Sequence, residues 1–203
     1  MTWLLVIVGS LLLAEFYGYW LHVLLHSYLI PPLSIAHMDH HISSYPPGSP
    51  QRSSEYIREN NGEITLFGIG LEWLAPSLVI LLLTILFEWL IGLSWHMIIL
   101  SVSTIIIYTI LLFSVLHDTF HIKNHPILRI KWIKKWYLKI RKLHDIHHHF
   151  VDEKGLMNKN YGIAFFFFDK IFNTYLPTLR GGYSKKGISI AKNKLKKYTN
   201  FHD

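Results

Sequence analysis

Three long apolar stretches restrict the folds open to this chain more than any other feature. They cover residues 3–30, 71–93 and 95–116, and hydrophobic residues make up 51% of the chain against 16% charged residues. At 1.5 Å per helical residue, the second and third stretches would each span roughly 33 Å, enough to cross the hydrocarbon core of a bilayer. The sequence therefore predicts an all-α integral membrane helical bundle of about three to four transmembrane helices, in a single domain covering residues 1–203.

The first apolar stretch is predicted to be a retained transmembrane helix and not a cleaved signal peptide. Its start, Met1 to Trp3, offers no positive charge, and the stretch continues to Pro31 and Pro32, beyond the length of a signal-peptide core. Glu15 lies inside this stretch. A carboxylate at that depth is costly, so it indicates either a role beside a functional site or a hydrogen bond to a neighbouring helix.

Histidines recur in four clusters along the chain. Two are pairs with H-x-x-x-H spacing, and two are triplets with H-x-x-H-H spacing: His22 and His26; His37, His40 and His41; His117 and His121; His144, His147 and His148. Residues three and four apart share one face of a helix, so each cluster directs its imidazoles to a common point. The clusters hold ten of the fourteen histidines. Two such triplets are rarely expected by chance, and the pattern predicts a metal site.

The three spans would bring all four clusters to one membrane face. The first span ends near His26, and the hairpin formed by the second and third spans returns the chain to that face at His117. All twenty lysine and arginine residues fall in segments assigned to the histidine side. The positive-inside rule therefore predicts a site on the cytoplasmic face. The net charge of +7 is interpreted as attraction to an anionic membrane surface and not to nucleic acid, because the chain is so apolar.

A basic amphipathic helix is predicted over residues 126–148. Its apolar residues form one stripe, and lysines and arginines occupy the rest of its surface: Ile130, Ile133, Tyr137 and Ile140 make the stripe. This pattern is typical of a helix lying in the membrane interface. Because the stripe leads into the last histidine triplet, we expect the face that dips toward lipid to present the imidazoles as well.

The remaining segments connect or flank these helices. A short helix over residues 34–41 would carry the first triplet, and the polar residues 43–61 would form a loop. The aromatic stretch 163–175 is too short to span and is expected to be interfacial or re-entrant. The basic tail, residues 179–203, is expected to rest on anionic lipid. Three tryptophans near span ends are interpreted as interface anchors: Trp73, Trp89 and Trp95.

The ligands on offer favour a transition metal. The chain has no cysteine, and imidazole nitrogens suit iron or zinc better than calcium or magnesium. Ten imidazoles exceed the four ligands of one structural zinc, so two metals with four or five nitrogens each are predicted. Candidates for orienting the imidazoles through their free N–H groups are Glu15, Asp39, Asp118 and Asp145. Asn160 would either reach a metal through water or form a plain turn.

Three functions fit such a site. Two irons beside lipid would suit dioxygen-dependent oxidation of a lipid C–H bond. A zinc-dependent membrane hydrolase is the second possibility, although the H-E-x-x-H motif with its carboxylate base is absent from the sequence. The third is a metal binder or transporter, which would need ionisable residues through the bilayer, where the sequence offers Glu15 and Glu88.

The histidine clusters resemble the signature of the fatty acid hydroxylase/sterol desaturase superfamily of membrane di-iron oxygenases. The downstream segments His147–Phe150, Asn160–Gly162 and Asp169–Thr174 are similar to the family's C-terminal pattern, with Asn173 where glycine is usual. The resemblance implies a helical membrane fold under a cytosolic cap, with two irons held by the ten histidines. It also implies dioxygen as co-substrate, a lipid substrate from the bilayer, and electrons from a separate ferredoxin- or cytochrome-type protein.

The resemblance leaves the substrate open among fatty acyl lipids, sterols and carotenoids, and leaves hydroxylation and desaturation as alternatives. Three clear spans are fewer than the four usual in the fatty acid enzymes, and the compact length resembles the carotenoid hydroxylases. Outside the clusters, His96 is expected at the opposite membrane face, and His125 and His202 in solvent. His149 follows the last triplet directly and is an alternative ligand.

Overall fold

The computed structural model describes residues 2–57, 65–66, 69–179 and 182–199. His202, the end of the predicted loop 43–61 and the last residues of the basic tail lie outside these ranges. Among the described residues, three helices are long and apolar enough to cross a membrane: Trp3–Ser27, Glu72–Leu90 and Trp95–Phe120. Many of their apolar side chains are exposed, as expected of helices that face lipid. The prediction of an all-α, multi-pass membrane bundle is confirmed.

Helix α1 (Thr2–Ser27) ends before the two prolines, and the chain turns at Tyr28, whose φ is 59°. Helix α2 (Pro31–Asp39) begins at the first proline, three residues earlier than the predicted start at residue 34. Proline fits the first turn of a helix because the N–H it lacks would have no partner there. A π-helical segment, π1 (His40–Ser44), continues α2 and carries His40 and His41.

Two short strands, β1 (Thr65–Leu66) and β2 (Ile69–Gly70), pair antiparallel and lead into helix α3 (Leu71–Leu90). The third span consists of helix α4 (Trp95–Thr109), a π-helical segment π2 (Ile110–Leu116) and helix α5 (His117–Phe120). It therefore extends past its predicted end at residue 116 and carries His117 inside the same continuous helix. Both π-helical segments adjoin histidine clusters, in keeping with the frequent occurrence of such segments at functional sites.

Polar side chains link the spans inside the bundle. Ser10 on α1 donates to Ser101 on α4 over 2.8 Å, and Ser101 donates to Glu88 on α3 over 2.5 Å. Glu15 on α1 accepts a hydrogen bond from Tyr108 on α4. Hydrogen bonds of this kind hold membrane helices together, because lipid offers a polar group no alternative partner.

A 3₁₀ turn (Pro126–Arg129) precedes helix α6 (Lys131–His149), the predicted amphipathic helix. Its apolar face packs inside the protein, against α5 and the segment 163–166. Tyr137 and Ile140 are buried, and the Tyr137 hydroxyl donates to the Thr119 carbonyl over 2.8 Å. The stripe is therefore covered by protein at Tyr137 and Ile140, next to the histidines, whereas Ile130 at its start is exposed and Ile133 is partly exposed. Contact of this helix with lipid stays a prediction.

The C-terminal part of the described chain is also helical. Helix α7 (Phe167–Ile171) lies in the aromatic stretch 163–175. Helix α8 (Lys185–Thr199) buries Gly187, Ala191 and Leu195, and the last two belong to a hydrophobic cluster with Met38 of α2. The Tyr28 ring is stacked on Tyr198 at 5.1 Å and lies 4.3 Å from Nζ of Lys194. The tail thus packs against the turn between α1 and α2.

Candidate metal centre

Nine of the ten predicted histidines form two adjacent groups at one end of the bundle. Within each group every residue offers one ring nitrogen, and these nitrogens all lie within 4.8 Å of one another. Cluster A consists of His22, His26, His37, His41 and His147. Cluster B consists of His40, His117, His121 and His148. The structure therefore mixes the four sequence clusters, because each triplet contributes to both groups.

The tenth histidine, His144, lies at the edge of cluster B. Its Nε2 atom is 3.0 Å from Nε2 of His121, and its ring is 4.7 Å from the ring of His117. His144 is fully buried, like its neighbours on α6. Counting His144, each cluster has five imidazoles, and the four or five nitrogens for each metal stay a prediction.

Backbone carbonyls fix the orientation of three imidazoles. Nδ1 of His22 donates to the Tyr161 carbonyl and Nδ1 of His147 to the Lys159 carbonyl, both over 2.6 Å. Nδ1 of His121 donates to the Gln51 carbonyl over 3.1 Å. A carbonyl only accepts, so these contacts place the proton on Nδ1 and leave the Nε2 lone pair directed into the cluster.

The polar residues predicted to orient the imidazoles have mixed placements. Asp118 contacts His117, with 3.3 Å between Oδ1 and Nδ1. The others contact different groups: Asp145 pairs with Arg52, Asp39 accepts from Ser43, Glu15 accepts from Tyr108, and Asn160 bonds to backbone groups. Asn160 thus has the turn role that was one of its two predicted alternatives.

Burial keeps the histidines outside the spans neutral. It is the largest cause that lowers the pKa of each one, and nearby imidazoles lower the pKa further: this holds for His37, His40, His41, His121, His144, His147 and His148. The pKa of His147 falls to about 4, although its hydrogen bond to Lys159 opposes the shift. Neutral imidazole is the form that binds a metal, so the lowered pKa of these seven histidines favours metal binding at neutral pH.

Unpaired nitrogens test whether the clusters suit metal ions. Among the described residues, nine buried ring nitrogens have no hydrogen-bond partner: Nε2 of His22, His40 and His147, Nδ1 of His26 and His144, and both nitrogens of His41 and His148. Leaving a buried polar atom unpaired is costly, and metal coordination would satisfy one nitrogen of each of these seven histidines. Nε2 of His26 and Nε2 of His37 lie 3.1 Å apart. Two nitrogens about 2.1 Å from one metal and at right angles would be about 3.0 Å apart.

The other described histidines lie outside both clusters. Nδ1 of His149 accepts a hydrogen bond from the Gly48 N–H over 3.1 Å, which turns this ring away from the centre. His96 is exposed at the start of α4, and Nδ1 of His125 accepts from the Ile127 N–H over 3.3 Å. These three placements separate the ten clustered histidines from the rest.

An apolar cavity of about 230 Å³ lies between α1, α3 and α4, beside cluster A. Trp73 forms part of its wall, and the same ring contacts His22 at 5.7 Å and His37 at 5.8 Å. The ring of Trp73 therefore packs between the cavity and the histidines, and its role as an interface anchor stays a prediction. Trp89 and Trp95 are exposed near the opposite ends of their spans, as an anchor role requires.

The fold and the site together define a multi-pass membrane protein with a histidine-rich centre that could hold metal ions. The sequence profile of the family described as fatty acid hydroxylase matches residues 7–174, and the chain belongs to this family, in the fatty acid hydroxylase/sterol desaturase superfamily. Membership supports an oxidoreductase of the lipid hydroxylase or desaturase type. No curated protein and no solved structure matches the chain in the corresponding comparisons.

The family match includes all ten clustered histidines and ends at Thr174. Helix α8 (Lys185–Thr199) follows that end. The helix that packs against Tyr28 therefore lies outside the part of the chain that the family profile covers.

Proposed function

We propose that the protein is a di-iron, dioxygen-dependent lipid oxidoreductase that hydroxylates or desaturates a C–H bond of a fatty acyl, sterol or carotenoid substrate. The observation that carries the proposal is the burial of ten imidazoles in two adjacent groups, with nine ring nitrogens left without a hydrogen-bond partner. A neutral imidazole has one N–H and one lone pair, so these nitrogens, which belong to seven histidines, offer one metal-binding lone pair per ring. Family membership makes lipid oxidation the chemistry they would serve.

Each cluster would hold one iron. Cluster A would use its five histidines, and cluster B its four together with His144. Iron bound there supplies the dioxygen chemistry needed to oxidise an unactivated C–H bond, which amino-acid side chains do not perform. The protein would contribute neutral imidazoles, backbone carbonyls that fix the tautomers of three of them, and a largely buried site for each metal.

The apolar cavity would hold the substrate chain. Its wall is formed almost entirely by apolar side chains of the three spans, and two wall residues, Leu78 and Ile106, are also exposed on the surface expected to face lipid. A hydrocarbon chain could therefore pass from the bilayer into the cavity between α3 and α4. Trp73 at the end nearest the histidines would limit how closely that chain approaches cluster A.

The two clusters differ in exposure. All five members of cluster A are buried, whereas His40 and His117 of cluster B are partly exposed. Electrons from a separate ferredoxin- or cytochrome-type protein would reach cluster B by the shorter path through protein. The distribution of lysine and arginine supports a cytoplasmic position for this face.

Metal analysis tests the proposal. Protein extracted under reducing, low-oxygen conditions should contain close to two irons per chain, and the His148→Ala variant should contain less. His96→Ala is the matched control, because His96 is an exposed histidine outside both clusters. With a reductant present, the loaded protein should consume dioxygen when lipid is added. One zinc per chain, together with activity that needs no reductant, would contradict the proposal and favour a hydrolase.

A further inference from the structure

Asp169 is a fully buried carboxylate just outside cluster A. Its Oδ1 accepts from the Tyr161 N–H over 2.8 Å and from the Thr174 hydroxyl over 2.7 Å, and its Oδ2 accepts from the Gly162 N–H over 2.8 Å. Burial raises the pKa of Asp169, and these hydrogen bonds oppose the shift. The carboxylate therefore joins two segments: the turn at 160–162 and the end of α7.

The turn that Asp169 holds is shaped by Asn160, which has a left-handed backbone with φ of 56°. Its side-chain amide donates to the carbonyls of Leu143 and Leu176 over 3.1 and 2.8 Å, and its Oδ1 accepts from the Leu176 N–H over 2.7 Å. Leu143 is the residue before His144 on α6. The turn is thus fixed at one side by Asp169 and at the other by the histidine-bearing helix.

The same turn supplies hydrogen-bond acceptors to cluster A. The carbonyls of Lys159 and Tyr161, on either side of Asn160, accept from Nδ1 of His147 and Nδ1 of His22. The Nε2 atoms of these two histidines are buried and without a hydrogen-bond partner. A donor contact at one ring nitrogen fixes the tautomer and the direction of the lone pair on the other nitrogen.

We infer that Asp169 is a positioning residue for cluster A that sets the metal affinity of His22 and His147. It holds the Tyr161–Gly162 peptide, whose carbonyl orients His22. It acts on the carbonyl that orients His147 through Thr174, whose own carbonyl accepts from the Asn160 N–H. The inference rests on the proposed function, because it takes cluster A to be a metal site. Cluster B depends on a different carbonyl: His121 donates to Gln51, far from this turn in the chain. Loss of Asp169 should therefore weaken one metal site and spare the other.

The test uses Asp169→Asn, which keeps the size of the side chain but turns one acceptor into a donor that faces a backbone N–H. Fe²⁺ binding is titrated anaerobically in two backgrounds: His117→Ala, which disables cluster B, and His26→Ala, which disables cluster A. In the first background we expect Asp169→Asn to weaken the remaining site by about 10-fold to 100-fold, the usual effect of losing a group that orients a metal ligand. In the second background we expect no change.

Asp152→Asn is the matched control. Asp152 also accepts two backbone N–H groups in a turn, from Lys154 and Leu156 over 2.9 and 2.8 Å, and that turn supplies no acceptor to a clustered histidine. It should leave both backgrounds unchanged. Equal weakening of both sites by Asp169→Asn, or weakening of neither, would overturn the inference. Failure of the wild-type protein to bind Fe²⁺ would instead overturn the proposed function.

A second variant covers the case in which Asp169→Asn does not give monodisperse protein in detergent. Thr174→Val removes one hydroxyl donor to Asp169, together with the 3.1 Å contact of that hydroxyl with Tyr19, and leaves the carboxylate and both backbone donors in place. It should weaken Fe²⁺ binding several-fold in the His117→Ala background alone. An unchanged affinity there, with protein of wild-type size in detergent, would count against the positioning role.

Discussion

The imidazole rings of His41 and His148 are stacked, with centroids 4.0 Å apart and planes 23° from parallel. His41 belongs to cluster A and His148 to cluster B, so the two clusters meet at this contact. Both rings are fully buried, and both nitrogens of each have no hydrogen-bond partner. A histidine that served only to fill a core would pair at least one nitrogen. The stacked pair therefore favours one metal bound to His41 in cluster A and another bound to His148 in cluster B.

Substitution of this pair should separate the two sites. His41→Ala and His148→Ala are each expected to lower the bound iron by about one ion per chain, because each removes a ligand from one cluster. The double variant should lose close to two. Iron per chain, measured by mass spectrometry on protein of wild-type size in detergent, gives the result. If either single variant lost both ions, the clusters would have to be a single cooperative site.

Filling the apolar cavity should block a hydrocarbon ligand. Ser77 lies in its wall, and a phenyl group there would occupy part of the about 230 Å³ volume. Ser77→Phe is expected to weaken binding of tritiated oleate to the detergent-solubilised protein by at least about tenfold, or about 1.4 kcal/mol, without changing iron content. Ser103→Phe makes the same substitution at an exposed position of α4 and should bind oleate normally. Equal oleate binding by both variants would exclude the cavity as the chain site.

The metal-free protein should lose stability in mild acid. Buried histidines such as His147, whose pKa is lowered to about 4, stay neutral in the folded state. In the unfolded state a histidine titrates near its ordinary pKa of about 6.5, so the unfolded chain binds more protons below that pH. Each such histidine then lowers the free energy of unfolding by up to about 1.4 kcal/mol per pH unit. Thermal unfolding at pH 7.5, 6.5 and 5.5 should give falling midpoints; constant midpoints would contradict the burial of neutral rings.

The packing of helix α8 on the turn after α6 should require a glycine at position 187. A Cβ at Gly187 would collide with the Asp152 carbonyl oxygen. In an ordinary helix, glycine to alanine stabilises by up to about 1 kcal/mol, but here Gly187→Ala should destabilise by about 1–3 kcal/mol through overpacking. Ser189→Ala, on the exposed face of the same helix, is the control. Unfolding in detergent, followed by tryptophan fluorescence, shows whether Gly187→Ala raises or lowers the free energy of unfolding.

The spans could be predicted from the length of their apolar stretches, and the histidine clusters from the helical periodicity of their spacing. The repeated spacing of His22 and His26, and of His117 and His121, identified helical faces that the structure brings together. The role of Asp169 could not be predicted in this way. It acts through the carbonyls of Lys159 and Tyr161, and a backbone carbonyl is the same in every residue, so nothing in the spacing marks it as an acceptor.

Two other contacts could not be predicted from the sequence for similar reasons. Trp73 stands near the start of a span, where tryptophan usually anchors the interface, and its contact with the histidines depends on how α3 packs against α1. The apolar stripe of α6 has the pattern of a lipid-facing helix, but the same pattern fits a helix covered by protein. In both cases the sequence identifies an apolar surface without identifying what covers it.

The segment π2 divides the third span into two parts, and the side chains of one part are rotated about the helix axis relative to those of the other. Each of its turns holds about one residue more than an α-helical turn, which shifts the residues after it by roughly 100° relative to the periodicity before it. Ser101 and Ile105, before π2, therefore face the bundle. His117 and His121, after π2, face cluster B from a different angle around the helix axis. A single-residue change in length within 110–116 could be absorbed by interconversion of π and α turns. Such a change would leave both the bundle contacts of Ser101 and the direction of the His117 and His121 rings in place.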